Sequence, residues 1–306
     1  MFFLGPFLIR KFKAWRARRD AANSDTAKKS DTQSADPTKA KATVGRTNPL
    51  MLLAHEASYD LRISMRNTRA RFFTFVFPIL LLVVFDSIFA GGKNTTPVDG
   101  HNVALTVFFV PGIMAMSVLT AAYAGQVIQI VTLRQSGVLK RRRATPVPPW
   151  VIVGGQALAA VATTFVMQVI LLVLGSVLYS VTFSAGAIAS IAIAVFVGTI
   201  ALVCISFALA GLINNADAAQ PVVQLTMLPL YFISGIFVPN GNFSSTIKTM
   251  AEIFPVEHIA DVMHRASVST SFSSAFNAGD LLVLGAWIVG ATAFSAWKFS
   301  WLPTRS

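Results

Sequence analysis

The chain has 306 residues, of which 54% are hydrophobic and only 12% are charged. That is more apolar side chain than a single water-soluble domain can bury, so an ordinary soluble fold is excluded and a bilayer is the natural solvent. The formal charge of +12 would suit nucleic acid in a soluble protein, but its placement decides for anionic lipid and against nucleic acid. Nearly all Lys and Arg lie before Phe72, in the run Arg134 to Arg143, or at Lys298 and Arg305, and none lies between Arg143 and Lys248.

In chain order, the apolar stretch Phe2 to Ile9 precedes its basic residues instead of following them, and it is too short to span a membrane. It therefore does not read as a cleaved signal peptide. Leu4, Leu8, Phe12 and Trp15 recur at helical spacing beside Arg10, Lys11, Lys13, Arg16, Arg18 and Arg19, which predicts an interfacial basic helix over residues 1–20. Residues 21–48 are mostly Ala, Lys, Ser, Thr and Asp with Val44 as their one large apolar side chain, and they read as a disordered linker. Asn48 followed by Pro49 signals a helix start. Leu50, Leu53, Ala57, Leu61 and Met65 then form a stripe, with Glu56, Arg62, Arg66 and Arg69 on other faces. Such a helix lies along the inner membrane surface, where each cation near anionic lipid contributes about 1 kcal/mol.

Six segments of residues 49–306 are long and apolar enough to cross about 30 Å of hydrocarbon: Phe72 to Ala90, Val103 to Val131, Val151 to Thr182, Ala187 to Ile213, Pro221 to Val238, and Leu281 to Trp301. Gly91, Gly92, Pro97 and Gly100 mark the first break. The expected fold is an all-α integral membrane bundle. Basic residues near span ends stay inside, so the segment before Phe72 and the loop Thr132 to Trp150 are predicted cytoplasmic, as are both termini.

Little of the sequence suggests catalysis. Cys204 falls in an apolar run, and His55, His101, His258 and His264 have no carboxylate at ligand spacing, so no metal site is predicted. No G-x-x-x-x-G-K-[ST] motif occurs, and no serine has a recognisable triad partner. Asp86 is the one acid well inside an expected span. It is a functional candidate by its cost of burial, although it lies near enough to the outer end to reach the interface. Gln126, Gln129, Gln168, Gln224 and Ser234 could line a pathway or bond between helices. Phe108, Phe109, Met114, Met116, Met227 and Phe232 could offer an adaptable surface to a lipophilic substrate or simply pack.

The most informative stretch runs from Leu133 to Val147 and includes Arg134, Gln135, Ser136, Gly137, Leu139, Lys140, Arg141, Arg142, Arg143, Ala144, Thr145 and Pro146. Read alone it is a positive-inside loop. In Gly137, Leu139, Arg141, Ala144, Thr145 and Pro146 it resembles the R-E-x-G-T-L-x-R-L-x-x-T-P pattern of the type 2 ABC permeases, the family that contains the daunorubicin-resistance type membrane subunits. A second likeness lies in Ser234-Gly235-Ile236-Phe237-Val238-Pro239, followed by Phe254-Pro255-Val256. Together the two place the resemblance over about Leu50 to the C-terminus.

The resemblance implies that residues 49–306 form a type 2 ABC transmembrane domain in the plasma membrane. The helix from Leu50 to Arg69 would be its connecting helix and Arg134 to Pro146 the ATPase-coupling loop. Pro239 to Gly279 would contain an outer re-entrant hairpin. Gln135, standing where glutamate is usual, implies a neutral hydrogen bond there. The chain would then be the permease of an exporter for a hydrophobic or amphipathic compound, with no cofactor of its own. Its partners would be a separate ATPase subunit binding ATP and Mg, and a second permease, either a copy or a paralogue. A secondary transporter would instead need ionisable groups near mid-membrane, where only Asp86 comes near, and a scaffold would need no pathway.

Overall fold

Asn48 precedes helix α1 (Pro49–Arg66), which Pro49 opens, and the computed structural model describes residues 48–89, 95–144, 147–179, 181–239, 243–269, 271–275 and 277–299. The expected helix over 1–20, the linker up to residue 47, both termini, Thr145 and Pro146 lie outside the described residues, as do the side chains of Arg69, Asp86 and Arg143.

After α1 the chain breaks at Asn67, whose side-chain oxygen accepts the backbone N–H of Ala70 at 3.2 Å. A one-turn helix, Thr68–Arg71, leads into α2 (Phe72–Phe89). The glycine- and proline-marked break that follows contains an antiparallel hairpin, β1 (Thr95–Val98) and β2 (His101–Ala104), with Val98 opposite His101. Asp99 and Gly100 both have positive φ, the backbone that a tight Asp-Gly hairpin turn requires. This hairpin corrects the all-α expectation locally: Thr95, Thr96, Val98 and Val103 suit strands, and Asp-Gly suits the turn.

The remaining helices are α3 (Leu105–Gln135), α4 (Val138–Arg143), α5 (Pro149–Tyr179), α6 (Ala185–Leu212), α7 (Ala216–Ile233), α8 (Ser245–Ala251), α9 (Pro255–Val268) and α10 (Ala278–Lys298). Five of the described helices, α2, α3, α5, α6 and α10, are long and apolar enough to cross a membrane. The other expected span, Pro221 to Val238, overlaps α7, an 18-residue helix that carries Asp217, Gln220 and Gln224. The chain turns out of this helix at Ser234 and Gly235, where the glycine has φ +69°.

α3 is the axis of the bundle, buried at every residue from Phe108 to Leu119. α2 and α10 are outer helices exposing Leu80, Val83 and Ile88, and Leu282, Val289 and Trp297, the surface that a lipid solvent favours. Because hydrocarbon offers no partners, polar groups at this depth depend on other helices, and several of them find partners there. Gln168 Nε2 donates to Met114 O at 3.1 Å and lies 2.9 Å from Ser117 Oγ, and the Thr164 and Thr199 hydroxyls lie 3.1 Å apart. α3 widens into a π-type turn over Thr120–Gly125. Ser206 Oγ reaches the carbonyls of Ala122 and Tyr123 there, at 3.0 and 3.2 Å. Such bonds contribute on average about 0.6 kcal/mol each.

The segment leaving α7 packs against α3 at Gly112, where an added Cβ would lie 2.3 Å from the carbonyl oxygen of Ile236. That oxygen is backbone and cannot rotate away, so Gly112→Ala should lower stability by about 1–3 kcal/mol, the range for overpacked cores. Gly285→Ala, at a position with nothing within 4 Å, should stay within about 1 kcal/mol of the parent protein. Thermal unfolding in detergent, followed by size-exclusion chromatography, compares the two.

Candidate functional site

The basic stretch divides its cations between the protein interior and the outside. Arg134, at the end of α3, is 2% exposed. Its guanidinium donates to Ala210 O at 3.0 Å and forms a short hydrogen bond to Ile213 O. These are carbonyls of the last turn of α6 and the residue after it, the negative end of that helix. Gln135 carries its side-chain oxygen to the first N–H of α7, accepting from Ala216 N at 2.6 Å. The neutral bond expected of this glutamine is therefore made within the chain. Arg134 and Gln135 thus grip the two sides of the α6–α7 turn, while Asn215 caps α7 by accepting from Asp217 N at 3.0 Å.

Ser136 and Gly137 reverse the chain. Gly137 has φ +70° and its N–H bonds to Arg134 O, a left-handed helix terminus that disfavours any residue with a Cβ. α4 follows, burying Leu139 and exposing Lys140 and Arg141. Arg142 turns inward to α1, 3.2 Å from Glu56 and 2.9 Å from Asp60, with its guanidinium 4.7 Å above the Tyr59 ring. Asp60 is 1% exposed. Burial raises its carboxyl above the ordinary range, and Arg142 opposes that shift through a hydrogen bond and its charge.

α1 can approach this closely because it lies on the first turns of α5, where a Cβ on Gly155 would fall 2.7 Å from that of Glu56. Arg62 and Arg66 remain exposed on the far side of α1. Asp60 was invisible as a partner in the sequence. Its one signal was the spacing Glu56 to Asp60, two acids on one helix face, set against a basic loop.

The suggested pathway residues differ in exposure. Phe108, Phe109, Met114, Gln126, Met227 and Ser234 are buried, whereas Gln224 and Phe232 are exposed. Phe109 stacks on Phe85 and Phe89, with centroids at 4.6 and 5.1 Å, and Phe85 meets Phe237 at 5.7 Å. Phe108 stacks on His264 at 4.6 Å. The two phenylalanines are packing residues that join α2, α3, α9 and the segment after α7.

A second ionisable cluster ties α9 to the first turn of α10. His258 Nδ1 lies 2.8 Å from Asp280 Oδ1, and its Nε2 lies 2.8 Å from Glu252 O. Arg265 bridges Asp261 at 3.0 Å and, through a shorter contact, Asp280. Both nitrogens of His258 face acceptors, an arrangement that only the imidazolium satisfies fully. Burial alone would lower its pKa, but the bonds to Asp280 and Glu252 outweigh burial and raise it. Glu257 is pushed up to about 7, first by burial and then by the charge of Asp261. Asp280 stands 22 residues from His258, a separation at which adjacency in sequence gives no signal. Among the described residues no group of three His, Cys, Asp or Glu is arranged to hold a metal ion.

Five long apolar helices, with a short basic helix ionically tied to an amphipathic one, define a polytopic membrane protein. Residues 58–266 match the family described as ABC-2 type transporter, and the chain belongs to that family. It is similar to the inner membrane transport permease YadH of Escherichia coli K12, at 26% identity over 169 residues, 54% of this chain and 63% of YadH. It is also similar to the probable multidrug ABC transporter permease YbhR of the same strain, at 24% over 155 residues, 51% of this chain and 42% of YbhR. The chain thus spans less than two thirds of the length of these relatives.

Two outcomes follow for these clusters. Arg142→Ala strands the Asp60 carboxylate in a buried site and should cost on the order of 3 kcal/mol. Adding Asp60→Asn should recover part of that loss in the thermal midpoint. For the α9 cluster, a histidine whose folded pKa is raised stabilises the fold fully below its unfolded value of 6.5 and loses that contribution as pH rises through the folded value. Glu257, also raised, has the same sign up to about 7. His264, lowered to about 4 by burial, acts oppositely, but only below 6.5. Above pH 6.5 the thermal midpoint should therefore fall with rising pH, and His258→Gln should flatten that slope.

Proposed function

We propose that the chain is the permease subunit of an ATP-driven exporter moving a hydrophobic or amphipathic compound (a drug, lipid or glycolipid) out of the cytoplasm or inner leaflet. It works with a second permease, a copy or a paralogue, and with separate ATPase subunits that bind ATP and Mg. α1 is the connecting helix and lies on anionic lipid through Arg62 and Arg66. The hairpin of α8 and α9 is re-entrant from the outer side.

The observation that carries this reading is the mechanical wiring of α4. Its outward cations, Lys140 and Arg141, are free to meet an acidic groove, while Arg142 links the helix to α1 and Arg134 and Gln135 link its approach to the α6–α7 turn. A push on α4 by closing ATPases is thereby delivered to α1, α3, α6 and α7 together. The names of YadH and YbhR, a transport permease and a probable multidrug permease, support transport as the activity. The second of these names also supports a drug as the cargo.

The test is affinity purification from the native host in mild detergent, with mass spectrometry of the bound proteins to find an ATP-binding subunit. Reversing charge at Lys140 and Arg141, which make no contact needed by the fold, should reduce co-purification or transport-coupled ATP turnover at least tenfold with the thermal midpoint unchanged. Full coupling in that double variant would remove α4 from the mechanism, and a chain that binds no ATPase at all would overturn the exporter reading.

A further inference from the structure

We infer that an apolar crevice between α3, α6, α7, α9 and α10 holds the acyl chain of a bilayer lipid. The crevice has a volume of about 290 Å³. Leu119 and Tyr123 line it from α3, Leu202 and Ile205 from α6, Thr226 from α7 and Trp287 from α10. Leu119, Tyr123, Leu202 and Trp287 lie in the middle third of their helices, so the crevice sits at hydrocarbon depth, away from the headgroups.

Its chemistry selects the occupant. None of the lining side chains is charged, so nothing there would hold a phosphate or an ammonium. The hydroxyls of Tyr123 and Thr226 lie 2.7 Å apart and bond to each other. The Trp287 indole N–H donates to the carbonyl of Ile253 at 2.7 Å. The polar atoms of the lining side chains are thus engaged within the protein, whereas a water needs two to four polar partners to settle in a cavity. The crevice is partly open to the outside, so an apolar molecule can enter it. What remains is an apolar ligand, and apolar cavities take such ligands readily.

The bilayer around the five spans presents acyl chains directly, at the right depth and with no charge to desolvate. A chain lodged here gains packing contacts and loses no hydration, so shape decides its residence. It would lie beside the π-type turn Thr120–Gly125 and against Pro229, filling the seam between α3 and α7. This inference does not depend on what the protein exports.

The full chain is reconstituted in nanodiscs of phosphatidylethanolamine and phosphatidylglycerol. These are doped with a phosphatidylcholine that carries a diazirine either at the end of one acyl chain or in the headgroup. After illumination, the chain-end probe should mark peptides containing Leu119–Tyr123 and Leu202–Ile205, and the headgroup probe should not. Ile205→Trp and, separately, Thr226→Phe fill the crevice and should cut chain-end labelling of those peptides at least fivefold, with labelling of exposed Leu282 and Val289 unchanged as the sign of an intact fold. Absent labelling at the crevice, equal labelling by both probes, or crevice labelling indifferent to both filling variants would overturn the inference. The comparison of the two probes on the unaltered protein stands even where a variant misfolds.

Discussion

A guanidinium taken out of water must be met by acceptors already fixed in place, and Arg134 is met by the carbonyls of Ala210 and Ile213. Those carbonyls sit where α6 ends, so the cation satisfies groups that no helical N–H can reach and lies at the negative end of the helix dipole. The arrangement fixes the end of α3 against the end of α6. With that anchor set, Gln135 can reach Ala216, Gly137 can turn the chain, and Arg142 arrives over Tyr59, Glu56 and Asp60. Four helices thus meet through side chains from a stretch of nine residues.

The same logic governs which charges are left outside. Lys140 and Arg141 lie between two inward-turned arginines and carry no internal partner chemistry comparable to the Arg142 clamp. Both are exposed, so neither bears the desolvation cost that Arg142 and Arg134 must offset with internal partners. The distinction matters because sequence alone presents Arg134 to Arg143 as one undivided basic run, all of it a candidate for the docking face. Helical geometry separates it: Arg134 belongs to the buried face of α3, and on α4 Leu139 and Arg142, three residues apart, share the inward face.

The spans were legible because their signal is long and local. Expected and observed boundaries of α2, α3, α5, α6 and α10 differ by a few residues, since about 20 consecutive apolar residues admit little else. The helix break at Ser234–Gly235 was legible because glycine marks φ values that other residues avoid, whereas Gly137, where φ is also positive, stood in the sequence only as part of a motif. The β-hairpin was not read because four-residue strands are too short for alternation to stand out, although Asp99-Gly100 was there to be seen. The His258–Asp280 and Arg142–Asp60 pairs span 22 and 82 residues. Nothing in a single sequence pairs charges over such distances, and only the packing of α9 on α10 and of α4 on α1 brings them together.

α3 concentrates the remaining tension. It is the most buried helix, yet it contains Pro111, Gly112 and a π-type turn at Thr120–Gly125, features that weaken a helix and recur where helices bend or bind. The last two are compensated from outside α3: Ile236 packs into the space at Gly112, Ser206 reaches the carbonyls of Ala122 and Tyr123, and Tyr231 lies 3.0 Å from the Thr120 hydroxyl. The compensating groups come from α6, α7 and the segment after α7. The turn between α6 and α7 is the one that Arg134 and Gln135 grip beside α4. Movement at α4 therefore reaches the irregular middle of α3 by two routes, along α3 itself and through α6 and α7. A displacement that shifts α7 along α3 has to break Thr120–Tyr231 and Tyr123–Thr226, two hydroxyl pairs of modest strength, and also the bond from Ala216 to Gln135.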